Sequence, residues 1–536
     1  GASLVRVGDD SVAKFPGLNI KGGTFTQDNF IVIKVDRGDL FLNGGTLNSA
    51  NSYAVENWLR ATIKGGTVNG AVSSWTYSSG SNSTLTISGG TINGNVESVS
   101  YDGSVDKKAK VSITGGTVNG TLSTKIYDSM TTPDKEMATI EVTGGMFTED
   151  PTKYVIEDSA ITKNADGTFG VAKAYLAKVG DTSYYTMDEA FKAQTASGEP
   201  IVLLRDYTTG STFNSGSINR TVDLNGHTWT CTGTDANSAA FEINYANASL
   251  TVKNGKIVSS QLVGLIPSAS GGTITYDNSS LTFEGVEMST TATSGIETNG
   301  NNTNDSVTLK NSTLNVPNGF GIYFPSSGKL TIENSTINAK TMGVQVCAGS
   351  LEITGDSAIN VTGGPVDKTE NDGAIQDGAA ISVVDRTGYK GLGKVEVKNG
   401  SFTAKTDEAL KAYKYENKEE GKFDNDDKKL TVTGGAFSND VKDYVAADFT
   451  TANITTSGET TYYVGKETVE AAAAKAPSGS TVTVTQGDAA LKNVPSGVTV
   501  KNTNTGNVTV NGGTKVTKDN ENGYTVPRSY YYYPST

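Results

Sequence analysis

The chain has 536 residues with 57 acidic against 44 basic side chains, 62 glycines and two cysteines. Its length exceeds one ordinary core, so several domains or a repeat array are expected. The net charge of −13 repels phosphate backbones and anionic lipid surfaces, and no run of roughly twenty apolar residues is present to span a bilayer.

Taken from the N-terminus, Gly1-Ala2-Ser3 reads as a mature or a cut end, and no signal peptide is visible. A short phrase then recurs: Lys21-Gly22-Gly23-Thr24-Phe25, Asn43-Gly44-Gly45-Thr46-Leu47, Lys64-Gly65-Gly66-Thr67-Val68, Ser88-Gly89-Gly90-Thr91-Ile92, Thr114-Gly115-Gly116-Thr117-Val118 and Thr143-Gly144-Gly145-Met146-Phe147. The first glycines stand 22, 21, 24, 26 and 29 residues apart. A period in the low twenties is one coil of a parallel β-helix or a leucine-rich horseshoe, and the leucine spacing of the latter is missing. Each coil carries an alternating strand such as Thr84-Leu85-Thr86-Ile87, a Gly-Gly corner and a new short strand. Asn48, Asn69, Asn93 and Asn119 fall three residues after the second glycine, which predicts a ladder of stacked amides along the axis.

The second half repeats a diverged phrase. Its corners are Lys253-Asn254-Gly255, Lys310-Asn311-Ser312, Glu333-Asn334-Ser335, Lys398-Asn399-Gly400 and Thr433-Gly434-Gly435, with Asn315, Asn338 and Asn360 as the matching ladder. The phrase from Gly144 to Val155 is echoed from Gly434 to Val445, and each echo is placed to cover a last coil. Each is followed by one opening module. In the first, Thr186 and Glu189 form a capping box before a short helix that ends at Ser197-Gly198, and the strand Ile201–Leu204 follows. The second repeats that order with a helix from Glu467 to Ala476 and the strand Val482–Val484. The reading divides the chain into a first array lacking its opening module (1–172), a complete second array (173–455), a truncated third module (456–526) and a Pro/Tyr linker (527–536).

The opening module, the segment Thr221-Val222-Asp223-Leu224-Asn225-Gly226-His227-Thr228 and the Asn/Gly-punctuated coils together resemble pectin-lyase-like β-helix repeats over nearly the whole chain. The resemblance implies an all-β, right-handed parallel β-helix. It also implies a secreted protein on a Gram-positive bacterial surface, anchored to the wall through a C-terminal region beyond Pro527. The family includes polysaccharide lyases, glycosidases and plain adhesins, and some surface proteins of such bacteria bind host immunoglobulin, so a host protein or host glycan is the implied partner of a monomeric, non-enzymatic binder.

Catalysis on this fold would need clustered carboxylates. The adjacent pairs are Asp9-Asp10 and Asp426-Asp427, the latter inside a charge-rich insertion from Glu416 to Lys429. Asp424, Asp426 and Asp427 are the one dense oxygen set that Ca²⁺ could use, though they lack a dedicated loop, and no cofactor is expected. His227, the single histidine, reads as framework. Cys231 and Cys347 lie 116 residues apart, about five coils, which predicts two free, inward-packed thiols too distant to bridge. A binder would use aromatic residues on loops that leave the coil outline: Tyr53, Trp58, Trp75, Tyr77, Tyr389, Tyr413 and Tyr415, with packing of Trp58 and Trp75 inside or between coils as the plainer reading. Exposed aromatics gathered on one face would mark a binder, a carboxylate cluster in a groove an enzyme of the lyase or hydrolase type, and neither a passive stalk.

Overall fold

The computed structural model describes all residues except 1, 10, 12, 128–136, 197, 367–372 and 530–536. The chain is all-β with large parallel sheets, the arrangement of a parallel β-helix, and divides into two compact units. One comprises Gly1–Lys178 with Thr182–Ala190, the other Val179–Asp181 with Phe191–Thr536. Module 456–526 therefore belongs to the same unit as the second array.

Within each unit, successive coils pair residue on residue. In the first, Ile20, Leu42, Ile63, Ile87, Ile113 and Val142 stack as one buried row. In the second, Val252, Phe283, Leu309, Ile332, Ile353, Val397 and Val432 do the same. These rows explain the low overall hydrophobicity. Each coil contributes only a few inward side chains, and stacking at about 4.8 Å joins them into a continuous core.

Gly65 and Gly66 show why the corner needs both glycines. Gly66 adopts φ +84, and a Cβ on Gly65 would lie 2.5 Å from the Asn43 carbonyl of the coil below. The diverged phrase turns its corners on Asn254, Asn311 and Asn334, all with positive φ, since asparagine tolerates that region better than other side chains.

Both ladders form. Asn69 donates to Asn48, Asn93 to Asn69 and Asn119 to Asn93, each at 2.8 Å. Asn338 donates to Asn315 at 2.9 Å and Asn360 to Asn338 at 3.0 Å. Replacing the half-buried Asn338 by Ala removes two amide bonds and strands the Asn315 oxygen and the Asn360 amide. The expected cost is about 1–2 kcal/mol in urea denaturation, against a smaller loss for the exposed Asn93→Ala; equal losses at the two positions would contradict the burial argument.

The closing phrases end their arrays by one device. A 3₁₀ turn, Thr152–Tyr154 or Lys442–Tyr444, leads into a hairpin whose returning strand pairs antiparallel with the last coil. Phe169 lies opposite Phe147 in one unit and Tyr462 opposite Phe437 in the other. In the first unit the sheet ends there, whereas in the second the strand Thr451–Thr456 also pairs antiparallel with Thr481–Gln486, and parallel pairing resumes beyond it. The opening helices are Met187–Ala193 and Lys466–Ala474. The Thr186 hydroxyl accepts the Glu189 amide at 3.3 Å and donates to the Glu189 carboxylate at 2.9 Å, so the capping pair forms through the hydroxyl, and Ser197 lies outside the described residues.

Cys231 and Cys347 are both free and buried. Their coils are four steps apart, through Trp229, Ile257, Met288, Leu314 and Ile337, rather than five. Cys347 also corrects the expected packing. It belongs to a cluster with Phe320, Tyr323, Met342 and Val384 that is separate from the inward rows of the coils.

Candidate functional site

The aromatic residues of the first unit come together. Val55, Val72 and Val96 stack inside the coils, and alternation turns their neighbours outward. Trp75 lies on that outer face, parallel to Trp58 at 5.3 Å and to Tyr127 at 5.5 Å between ring centres. Tyr53 meets Trp75 edge-on at 5.9 Å and Tyr77 meets Trp58 edge-on at 5.5 Å, while Tyr101 sits 6.5 Å from both tryptophans. Six rings from successive coils thus form one platform. One expectation is corrected here: Tyr53 and Trp75 lie on the strands Thr46–Asn57 and Thr67–Thr76 rather than on loops outside the coil. Of the plainer reading, packing between coils is what the tryptophans show, stacked on each other from adjacent coils on the outer face. Tyr101 and Tyr127, the most exposed of the six at 54% and 45%, were not among the expected residues. Their signal was the repeat itself, because Tyr77, Tyr101 and Tyr127 follow one another at 24 and 26 residues.

The polar atoms behind the platform are engaged. The Trp58 indole N–H donates to Glu56 at 2.7 Å and that of Trp75 to Ser73 at 2.8 Å. The Tyr53 hydroxyl donates to Glu97 at 2.6 Å, and Lys125 pairs with the same carboxylate at 2.7 Å. Burial raises the Glu56 carboxyl above its ordinary value, and burial with the Glu97 contact raises the Tyr53 phenol. With the N–H groups held internally, ring faces and edges are what the platform offers a ligand, as sugar stacking and protein anchoring both require. Beside it opens a cleft of about 380 Å³ lined by Arg6, Lys34, Asp36, Arg37, Trp58 and Tyr77. Asp36 pairs with Arg6 and, at 3.2 Å, with Lys34.

In the second unit the expected set does not gather in the same way. Tyr413 and Tyr415 lie on the strand Leu410–Glu416 and are 4% and 2% exposed, so neither is a loop residue open to a ligand. They are covered because they share the cluster of Phe320, Tyr323 and Ile375. The Tyr413 hydroxyl donates to Asp377 at 2.7 Å, and Arg386 stands 5.4 Å above the Tyr415 ring. Tyr389 is the half-buried member of the three, its hydroxyl 3.0 Å from that of Tyr323. Burial pushes the neighbouring Cys347 thiol up to about 12, far from a nucleophilic thiolate.

The acidic candidates are occupied locally. Asp9 accepts from the Ser11 backbone and hydroxyl, which lowers its pKa, while Asp10 lies outside the described residues. Asp424 accepts the Asp426 amide and Asp427 pairs with Lys429 at 3.5 Å. Among the described residues no three His, Cys, Asp or Glu side chains converge as a metal ion would need, so Asp424, Asp426 and Asp427 are not one ligand set. His227 sits at a coil corner with Nδ1 3.5 Å from Asp206. No helix among the described residues is long and apolar enough to cross a membrane. Comparison with known protein families, with curated proteins and with solved structures finds no match to the chain.

Proposed function

We propose that the chain is a non-enzymatic, adhesin-like binding protein of a bacterial surface, and that it engages a host protein, immunoglobulin among the candidates, or a host glycan. The supporting observation is the platform of Tyr53, Trp58, Trp75, Tyr77, Tyr101 and Tyr127, aromatic residues on one face with both indole N–H groups and the Tyr53 hydroxyl already hydrogen-bonded. Such rings supply contact area at low entropic cost, and a few of them carry most of the free energy of an interface. The acidic balance favours a neutral or basic partner.

A screen of purified glycans and of serum and mucosal proteins identifies the ligand, and a double Trp58→Ala, Tyr101→Ala variant then locates the site. Neither residue belongs to the buried core of the coils, so folding survives. Affinity is expected to fall at least about thirtyfold, the equivalent of one strong hot spot. A ligand bound equally well by the variant would remove the platform from the mechanism, and an empty screen would favour a passive stalk.

A further inference from the structure

Building on the reading of the aromatic platform as a binding face, we propose that the cleft beside it is a subsite for one carboxylate-bearing sugar residue on an otherwise neutral glycan, with Arg37 as the partner of the carboxylate. The cleft of about 380 Å³ is within the range of small-ligand sites. Four successive coils build it. Arg6 and Lys34 are partners in the parallel register, one coil apart at about 4.8 Å. Asp36 and Arg37 follow the strand Ile31–Val35, and the Trp58 amide donates to the Val35 carbonyl at 2.7 Å, which places Trp58 one coil further on. Tyr77, Ser79 and Ser81 complete the lining from the next coil, both serines exposed.

Local charge sets the ligand class. Three cations line the cleft, Arg6, Lys34 and Arg37, against the one carboxylate of Asp36. Asp36 is shared between Arg6 and Lys34, the latter at 3.2 Å. Among the described residues Arg37 pairs with no carboxylate, and its guanidinium stands 5.5 Å from the Phe15 ring centre. Glu56 lies beside Lys34 in the register, with its carboxylate on the Trp58 indole N–H at 2.7 Å. Counting it too leaves three cations against two carboxylates. In a chain of net charge −13 this is a local exception. A polyanion would be repelled by the rest of the surface, and a wholly neutral ligand would gain nothing from the Arg37 charge. One carboxylate on a neutral chain meets both conditions, and the guanidinium fork can donate two parallel N–H bonds to it. In a sugar acid that carboxylate is fixed to the ring, so pairing and stacking are made together, whereas an acidic peptide side chain must first be ordered. The ring's C–H groups suit the Trp58 indole in the wall, and its hydroxyls suit Ser79 and Ser81.

The test uses the full chain and calorimetry with lactose, lactose capped by N-acetylneuraminic acid, lactose capped by glucuronic acid, trigalacturonate and a short acidic peptide containing tyrosine. One of the acid-capped sugars is expected to bind at least about tenfold tighter than lactose, the worth of one charge-assisted pair. Arg37→Gln should abolish that margin, and so should Ser79→Asp, which sets a like charge in the cleft. Ser79 is exposed, so its variant carries the test should Arg37→Gln melt lower than wild type. Tyr101→Ala, on the platform, is expected to weaken lactose and the capped sugar by the same factor. No change in that variant would remove the platform and leave the cleft standing, which keeps the two readings distinguishable. Equal binding of lactose and the capped sugars, tightest binding of trigalacturonate or of the peptide, a margin kept in the informative variant, or a silent panel overturns the proposal.

Discussion

Asp305→Asn is expected to stabilise the second unit at pH 8 and to flatten its pH dependence. Asp305 is fully buried; one carboxylate oxygen accepts the Ser279 amide at 3.2 Å and the other makes no hydrogen bond. Burial raises its pKa from 3.8 to about 7, opposed first by the Ser279 bond. Between these two values the folded chain holds a proton that the unfolded chain has released. Stability therefore falls as pH rises through that window and levels off above it. Removing the charge recovers up to about 4 kcal/mol at pH 8 and little below pH 4. Thermal melts of both proteins at pH 4, 5.5 and 8 measure this. A variant less stable than wild type at pH 8 would mean that the carboxylate is stabilised there by contacts stronger than its burial cost.

The second large effect is expected at Trp229. This side chain is 1% exposed and packs against Tyr207 and Phe241, each at 4.7 Å between ring centres, and Phe213 at 5.7 Å. Trp229→Ala should cost about 3–5 kcal/mol, the sum of lost transfer energy and the cavity left behind. Its indole N–H is buried without a hydrogen-bond partner, so Trp229→Phe should lose much less, removing a polar group that gains nothing from burial. Of the three tryptophans only Trp229 lies in this unit, and a urea titration followed by fluorescence in a Trp58→Phe, Trp75→Phe background reports its coil alone. Equal losses for the Ala and Phe variants would place the cost in the N–H rather than in packing.

The coil architecture was legible because each repeat carries its own corner and ladder residues. Gly65-Gly66, Asn69 and the alternating strands need no distant information, and the period places them above one another. The platform was legible only in part. Trp58 and Trp75 stand out by type, whereas Tyr101 and Tyr127 join them through register, which requires counting coils whose lengths differ. Tyr413 and Tyr415 were misplaced for a different reason. Their strand alternates in the ordinary way, but Ile375 and Asp377, from another part of the chain, pack against its outer face and take the tyrosines out of solvent. No local pattern reports such a cover.

The antiparallel hairpins that close the arrays also bear on how the chain would yield under tension. Within an array, the strand pairings run from coil to coil along the axis, so a pull in that direction opens them one coil at a time. Each coil of about 22 residues releases roughly 75 Å of extended chain, which makes an array a stepwise extensible tether. At Phe147–Phe169 and Phe437–Tyr462 the last coil is bonded to a strand running the opposite way. Each array then has a fastened end at its hairpin, and its unwinding starts from the other end.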